Sequence, residues 1–175
     1  MPALPEIWLM TPKISSNTFV MVTLIRTSSV HTDFIALVQL LDEELAIRDG
    51  ADHPFYDQFN KIDMIKYAVV AYENGEPAGC GALKAYGPGM VEIKRMFTLP
   101  IARGKGIAGK ILTELELWAR ELEFKKCILE TGIKQPEAIG LYKKYGYKLI
   151  QNYGQYAGVE NSLCFEKEII NPHII

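Results

Sequence analysis

The chain has few cysteines, few histidines, no marked excess of either charge and no long hydrophobic run. Each shortage removes a class of function. Cys80, Cys127 and Cys164 are the only three cysteines in 175 residues. Odd in number and far apart, they argue against a disulfide framework or a zinc site and point to a reducing compartment. His31, His53 and His173 lack metal-ligand spacing, so no metal is expected. A net charge of −2 gives no general attraction for nucleic acid, so any anionic ligand has to be held by local donors. Nothing approaches the run of about 18 apolar residues that spans a membrane, and the opening "MPALPEIWLM" has no basic region. A cytoplasmic protein without a membrane partner is expected.

Composition is ordinary for one globular domain, with 49% hydrophobic and 23% charged residues. No repeat, linker or low-complexity tract divides the chain. Residues 1–17, with three prolines and no clear period, read as an N-terminal extension, and residues 18–170 as the single domain. Thr18 to Thr27 is β-branched and apolar, which predicts a strand. Ser28, Ser29 and Thr32 are candidate caps for a helix in which Phe34, Ile35, Val38, Leu41 and Leu45 share a face and which Gly50 closes. The next segment alternates strand and turn, with Asn74-Gly75 and Gly87-Pro88-Gly89 as turns of an antiparallel meander. From Lys105 the period becomes helical, through Ile107, Ile111, Leu115, Trp118 and Leu122. The strand "KKCILET" then completes a parallel, right-handed crossover. Gln135-Pro136 opens another helix, with Ile139 and Tyr142 inward and Gly146 as its stop, and strands follow near "YKLIQNY" and "NSLCFEKEI".

The stretch "RGKGIAGKI", Arg103 to Ile111, admits three readings. Gly104, Gly109 and Lys110 match a nucleotide P-loop, but Ile111 stands where a hydroxyl must complete the Mg²⁺ shell. Gly104, Gly106 and Gly109 match a dinucleotide fingerprint, with Glu130 at a suitable distance. That fingerprint should follow its strand at once, whereas Leu99 to Arg103 intervene. The preceding "VEIKRMFT" also carries Glu92, Lys94 and Arg95, which suits a mixed sheet with a solvated face. In the third reading, glycines let the backbone approach a pyrophosphate, the first amides of the helix serve as donors, and Arg103, Lys105 and Lys110 supply charge.

The blocks "EIKRMFTLPIARGKGIAGKIL" and "LETGIKQPEAIGLYKKYGYKLI" resemble the GNAT superfamily of acyl-CoA-dependent N-acetyltransferases. The resemblance implies an α/β fold with a mostly antiparallel mixed sheet flanked by helices, whose one parallel strand pair splays apart. It implies acetyl-CoA as co-substrate, held by the main chain of Met96, Phe97 and Thr98 and by Arg103, Gly104, Lys105, Gly106, Ile107, Ala108 and Gly109. Gln135 stands where many members have Asn, and Tyr142 belongs to the L-Y pair before Gly146-Tyr147.

Transfer to an amine requires a neutral amine and a proton for the departing thiolate. A lysine-like amine is only about one part in two thousand neutral at pH 7. Glu92 and Glu130 both fit family members that use a glutamate base, and Tyr142 is the expected general acid and a further coenzyme contact. The acidic stretch Asp42 to Asp57 could draw a cationic acceptor, and "YGQYAG", Tyr153 to Gly158, could form an aromatic acceptor loop. The expected function is acetyl transfer from acetyl-CoA to a primary amine of a small molecule or protein, by direct attack. The alternatives are a non-catalytic acyl-CoA sensor and an NAD-binding protein. Exposed strand edges near the C-terminus make a homodimer plausible.

Overall fold

A computed structural model describes residues 20–169. The extension 1–17, the start of the first strand at Thr18 and Phe19, the last residue of the expected domain and His173 lie outside that range. Seven strands form one sheet in the order β1-β2-β3-β4-β5-β7-β6. β1 is Val22–Thr27, β2 Tyr67–Glu73, β3 Glu76–Gly87, β4 Met90–Thr98, β5 Lys126–Gly132, β6 Lys148–Ile150 and β7 Ser162–Glu168. Asn74 (φ 52°) and Gly75 (φ 88°) make the first hairpin turn of the meander, the left-handed pair that matches strand twist. Only β4 and β5 run parallel, as expected for a mixed sheet with one parallel pair.

That parallel pairing is short. Met90, Val91 and Glu92 face Lys126, Cys127 and Ile128, and beyond them the strands part. The cause sits in β4. Cys80 of β3 faces Phe97 and Ala82 faces Lys94, so Gly81 opposes both Arg95 and Met96. Arg95 takes φ 57°, a β-bulge that bends the strand. A Cβ on Gly81 would lie 2.5 Å from Met96 Sδ, so the close approach requires glycine there. The Arg95 side chain is 5% exposed; it pairs with Asp42 and donates to Val38 O at 3.5 Å. The bulge is thereby fastened to the helix that covers this face.

That helix, α1 (Thr32–Asp49), buries Phe34, Leu37, Val38 and Leu41 against Ala68, Val70, Cys80, Ala82 and Phe97. The opposite face is covered by α3 (Ile107–Glu121), whose Ile107, Ile111, Leu115 and Ala119 pack on Val69, Leu83, Val91 and Leu129. Each fully buried aliphatic side chain contributes about 1.5–3 kcal/mol. β2 is buried on both sides, with Ala68 and Val70 toward α1 and Val69 and Ala71 toward α3. α2 is a short turn, His53–Asp57, and α4 is Pro136–Lys144.

Several expectations are corrected. His31, not Ser28, Ser29 or Thr32, occupies the N-cap of α1, and among the described residues no side chain caps it. Gly50 closes that helix as expected, at φ 57°. α3 begins at Ile107 rather than Lys105, because Gly106 sits in the left-handed region at φ 78°. Glu92, Lys94 and Arg95 are buried rather than solvated, since helices and loops cover both faces of bulged β4. Only Lys148–Ile150 of "YKLIQNY" pairs, with β7, and forms an outer strand.

Candidate active site

Where β4 and β5 separate, a cleft of about 450 Å³ opens. Met96, Phe97 and Thr98 of β4 line one wall, Gln135, Leu141 and Tyr142 line the other, and Arg103, Gly104 and Gly106–Gly109 close one end. The expected coenzyme residues are thus gathered in one place, except Lys105. Its ammonium bonds Glu73 at 2.8 Å, outside the cleft lining. Lys110, the third expected charge, is exposed and outside the lining too.

At the loop end, the first backbone bond of α3 runs from Lys110 N–H to Gly106 O. The amides of Ile107, Ala108 and Gly109 therefore precede the helical ladder, and among the described residues no side chain caps them. Such a terminus attracts anions. Gly104 and Gly106, both at φ 78°, have open space where a side chain would stand. Gly109 differs, because a Cβ there would lie 1.8 Å from Tyr145 Oη. Its missing side chain makes room for Tyr145, which also lines the cleft. Arg103 faces the cleft but is already engaged. Nε donates to Thr98 O at 2.9 Å, and Nη2 to Glu44 Oε2 at 2.6 Å. Glu44 in turn holds Arg48 at 2.9 Å, and Arg48 holds Glu137 at 2.9 Å.

Midway along the cleft, Tyr142 is 5% exposed, its ring edge-on to Tyr147 at 5.7 Å. Burial, with the nearby Glu130, pushes its pKa above the ordinary phenol value of 10.0. The group stays protonated throughout the physiological range. Thr98 Oγ1 is buried without a partner.

Glu92 and Glu130 both reach the far end, in different surroundings. Glu92 is 4% exposed, accepts the Tyr153 hydroxyl at 2.9 Å and lies 3.5 Å from Lys94 Nζ. Glu130 has one carboxyl oxygen, Oε1, buried without a partner. Burial, with Glu92 and Asp49 nearby, pushes its carboxyl from 4.5 up to about 7 despite Ser162 and Lys94, which act the other way. Two like residues are thus set apart: one compensated, the other poised near neutrality.

Of the aromatic loop, Tyr153 holds Glu92 and Tyr156 lines the cleft. Much of the acidic stretch is consumed internally. Asp42 pairs with Arg95, Glu44 with Arg103 and Arg48, and Asp52 accepts from Asn161 at 3.0 Å. Asp49 alone among its aspartates lines the main cleft. Sequence reasoning missed Lys94 and Tyr145 as site residues. The run Glu92-Ile93-Lys94-Arg95, with adjacent charges on both strand faces, was the available sign of a bulge. None of the three cysteines lines the cleft; burial pushes Cys80 and Cys127 to about 12 and Cys164 to about 11.

The acetyltransferase (GNAT) family model matches residues 34–147. An IAA acetyltransferase from Azospirillum brasilense is 33% identical over 155 residues, which cover 85% of this chain and 98% of that protein. Among solved structures, a candidate acyl-CoA N-acyltransferase from Klebsiella pneumoniae is 30% identical with a TM-score of 0.72, over 86% of this chain and 99% of that one. A GNAT family acetyltransferase from Elizabethkingia anophelis, solved with acetyl-CoA bound, shares the fold at 20% identity and a TM-score of 0.62, over 84% and 97% of the two chains.

Proposed function

Because this chain belongs to the acetyltransferase (GNAT) family, we propose that it transfers acetyl from acetyl-CoA to a primary amine by direct attack in a ternary complex. The observation that carries the proposal is the cleft itself, which links the uncapped terminus of α3 to the Glu92 and Glu130 pocket, with Tyr142 between. Its residues fit an acyl-CoA. Amides of Ile107, Ala108 and Gly109, with Arg103, would hold the pyrophosphate. Peptide groups of Met96 to Thr98, which β5 does not pair, would bind the pantetheine amides, with Gln135 opposite. The alternative dinucleotide reading loses its support, since a turn at Pro100–Ala102 separates β4 from the loop.

When bound, the thioester supplies an activated acetyl group and a thiolate leaving group. The protein's own residues handle the protons. Glu130, with a free oxygen and a carboxyl poised near 7, takes the proton from the incoming ammonium, directly or through water. Glu92, fixed by Lys94 and Tyr153, stays in place as a hydrogen-bonded wall of the pocket. Tyr142 gives its proton to the sulfur. The dry surroundings that raise the phenol's pKa raise a thiol's as well, so the transfer between them stays nearly balanced. Direct attack is supported by the cysteines, which lie outside the cleft lining and are held in the thiol form.

The test is free-thiol release from acetyl-CoA with a panel of amines. Amine-dependent release is expected. A melting-temperature rise with acetyl-CoA but no release with any amine would replace the transferase by a sensor.

A further inference from the structure

Beyond Glu130 the cleft ends among charges that the protein leaves unanswered. Asp49 is the last residue of α1, where the helix carbonyls already carry partial negative charge and oppose a carboxylate. It is 8% exposed and lines the cleft. Its one ion-pair partner among the described residues is His53, whose Nδ1 stands 3.8 Å away, beyond ordinary hydrogen-bond length. A carboxylate buried in this way is costly unless something pairs with it.

The neighbouring cations are committed elsewhere. Lys94 faces Glu92, and Arg48 is shared between Glu44 and Glu137. Lys134 lies outside the lining of this cleft and reaches only the main-chain carbonyl of Asp49, at 3.4 Å, and Asp52 at 3.8 Å. Glu130 Oε1 is likewise without a partner. Two carboxylates therefore face one cavity, and among the described residues neither has a lysine or arginine within ion-pair distance, Asp49 having only His53. Burial raises the pKa of both, and the partial compensation from His53 and Lys134 at Asp49 and from Ser162 and Lys94 at Glu130 does not offset it. Tyr56 and Tyr156 stand at the same end, and Tyr56 is fixed by its hydroxyl, 3.1 Å from Ser162 Oγ. Aromatic faces beside a carboxylate suit an ammonium.

We propose that the acceptor carries two cationic groups, an α,ω-diamine or a molecule that presents one, with its reacting amine at Glu130 and its remote ammonium at Asp49 beside Tyr56 and Tyr156. The proposal rests on the transferase reading. In the step it implies, a nitrogen–acetyl bond forms as the sulfur–acetyl bond breaks. Glu130 takes one proton from the ammonium, Tyr142 gives one to the departing sulfur, and the second proton that nitrogen loses as the amide forms passes, directly or through water, to the Tyr142 oxygen. The remote ammonium stays unreacted and keeps its charge. An ω-amino acid would instead set its carboxylate against Asp49, and a monoamine would leave Asp49 unpaired.

The experiment compares kcat/KM for α,ω-diamines from propane to hexane with that for the matching monoamines and ω-amino acids. Acetyl-CoA-induced melting shifts are recorded in parallel. The best diamine is expected to exceed its monoamine by about tenfold or more, the scale of one added charge-assisted hydrogen bond. The ω-amino acid should fall below both. Asp49→Asn should bring the diamine-to-monoamine ratio toward one, while Asp52→Asn, outside the main cleft, should preserve it. Equal rates for diamines and monoamines, a preferred ω-amino acid, or a ratio that survives Asp49→Asn would overturn the second cationic site and leave the transferase reading intact. Absence of turnover with every amine would overturn both.

Discussion

Glu130→Gln should make the protein less active and more stable, and the size of the gain follows from its surroundings. An unfolded chain ionises this carboxyl near 4.5, whereas the folded protein does so only at about 7. Between those values the folded state keeps a proton that the unfolded state has released, so stability falls as pH rises through the window and levels off above about 7. Carrying the charge above pH 7 costs at most about 3 kcal/mol. Glutamine has the same shape without the charge. At pH 8 the variant should therefore melt roughly 6–12 °C higher for a domain of this size, and the gain should vanish below about pH 4.5. Asp49, whose pKa is also raised, tilts both curves in the same direction, and its repulsion of Glu130 is part of the cost that the variant relieves. Activity should fall by about a hundredfold or more, the scale of a lost general base. Glu92→Gln provides the opposite sign, because it strips the buried Lys94 of its counter-ion, a change that costs about 3–5 kcal/mol. Melting curves across pH, with activity measured on the same samples, decide the matter. If Glu130→Gln were no more stable than the parent at pH 8, or if both glutamate variants moved in the same direction, the division of roles between them would be wrong.

Tyr142→Phe should keep the melting shift given by acetyl-CoA while lowering kcat by about a hundredfold in a steady-state assay, as expected for a lost proton donor. Gly109→Ala places a methyl group 1.8 Å from Tyr145 Oη and should cost about 1–3 kcal/mol in thermal denaturation, with a higher KM for acetyl-CoA. Glu44→Ala releases Arg103 from its 2.6 Å contact and should lower the KM for acetyl-CoA, whereas Arg103→Ala should raise it. A thiol reagent at pH 8 should leave Cys80, Cys127 and Cys164 unmodified in the native protein, as peptide mass mapping would show.

What could be read in the sequence was local. The Asn74-Gly75 turn, the apolar stripe of α3 and the glycine loop each depend on residues close together in the chain, and their pattern survives in one dimension. The parts that shape the site depend on distant residues. The bulge at Arg95 is secured by Asp42 on α1, Arg103 is captured by Glu44, and Glu92 is held by Tyr153 from beyond β6. Nothing in the spacing of Gly109 announces that Tyr145 will fill its place. The two glutamates looked alike in the sequence because their difference is one of burial and partners. One gained Lys94 and Tyr153, and the other kept a carboxyl oxygen that no donor reaches. Adjacent charges in an otherwise apolar strand were the one local sign that β4 would not run straight.

Acetyl transfer to an amine is read out by free-thiol release from acetyl-CoA by the purified protein, measured as the concentration of a primary amine is raised, beginning with a diamine. Saturable, amine-dependent release that Glu130→Gln and Tyr142→Phe both depress is expected. Acetyl-CoA that raises the melting temperature without releasing thiol at any amine concentration would contradict it.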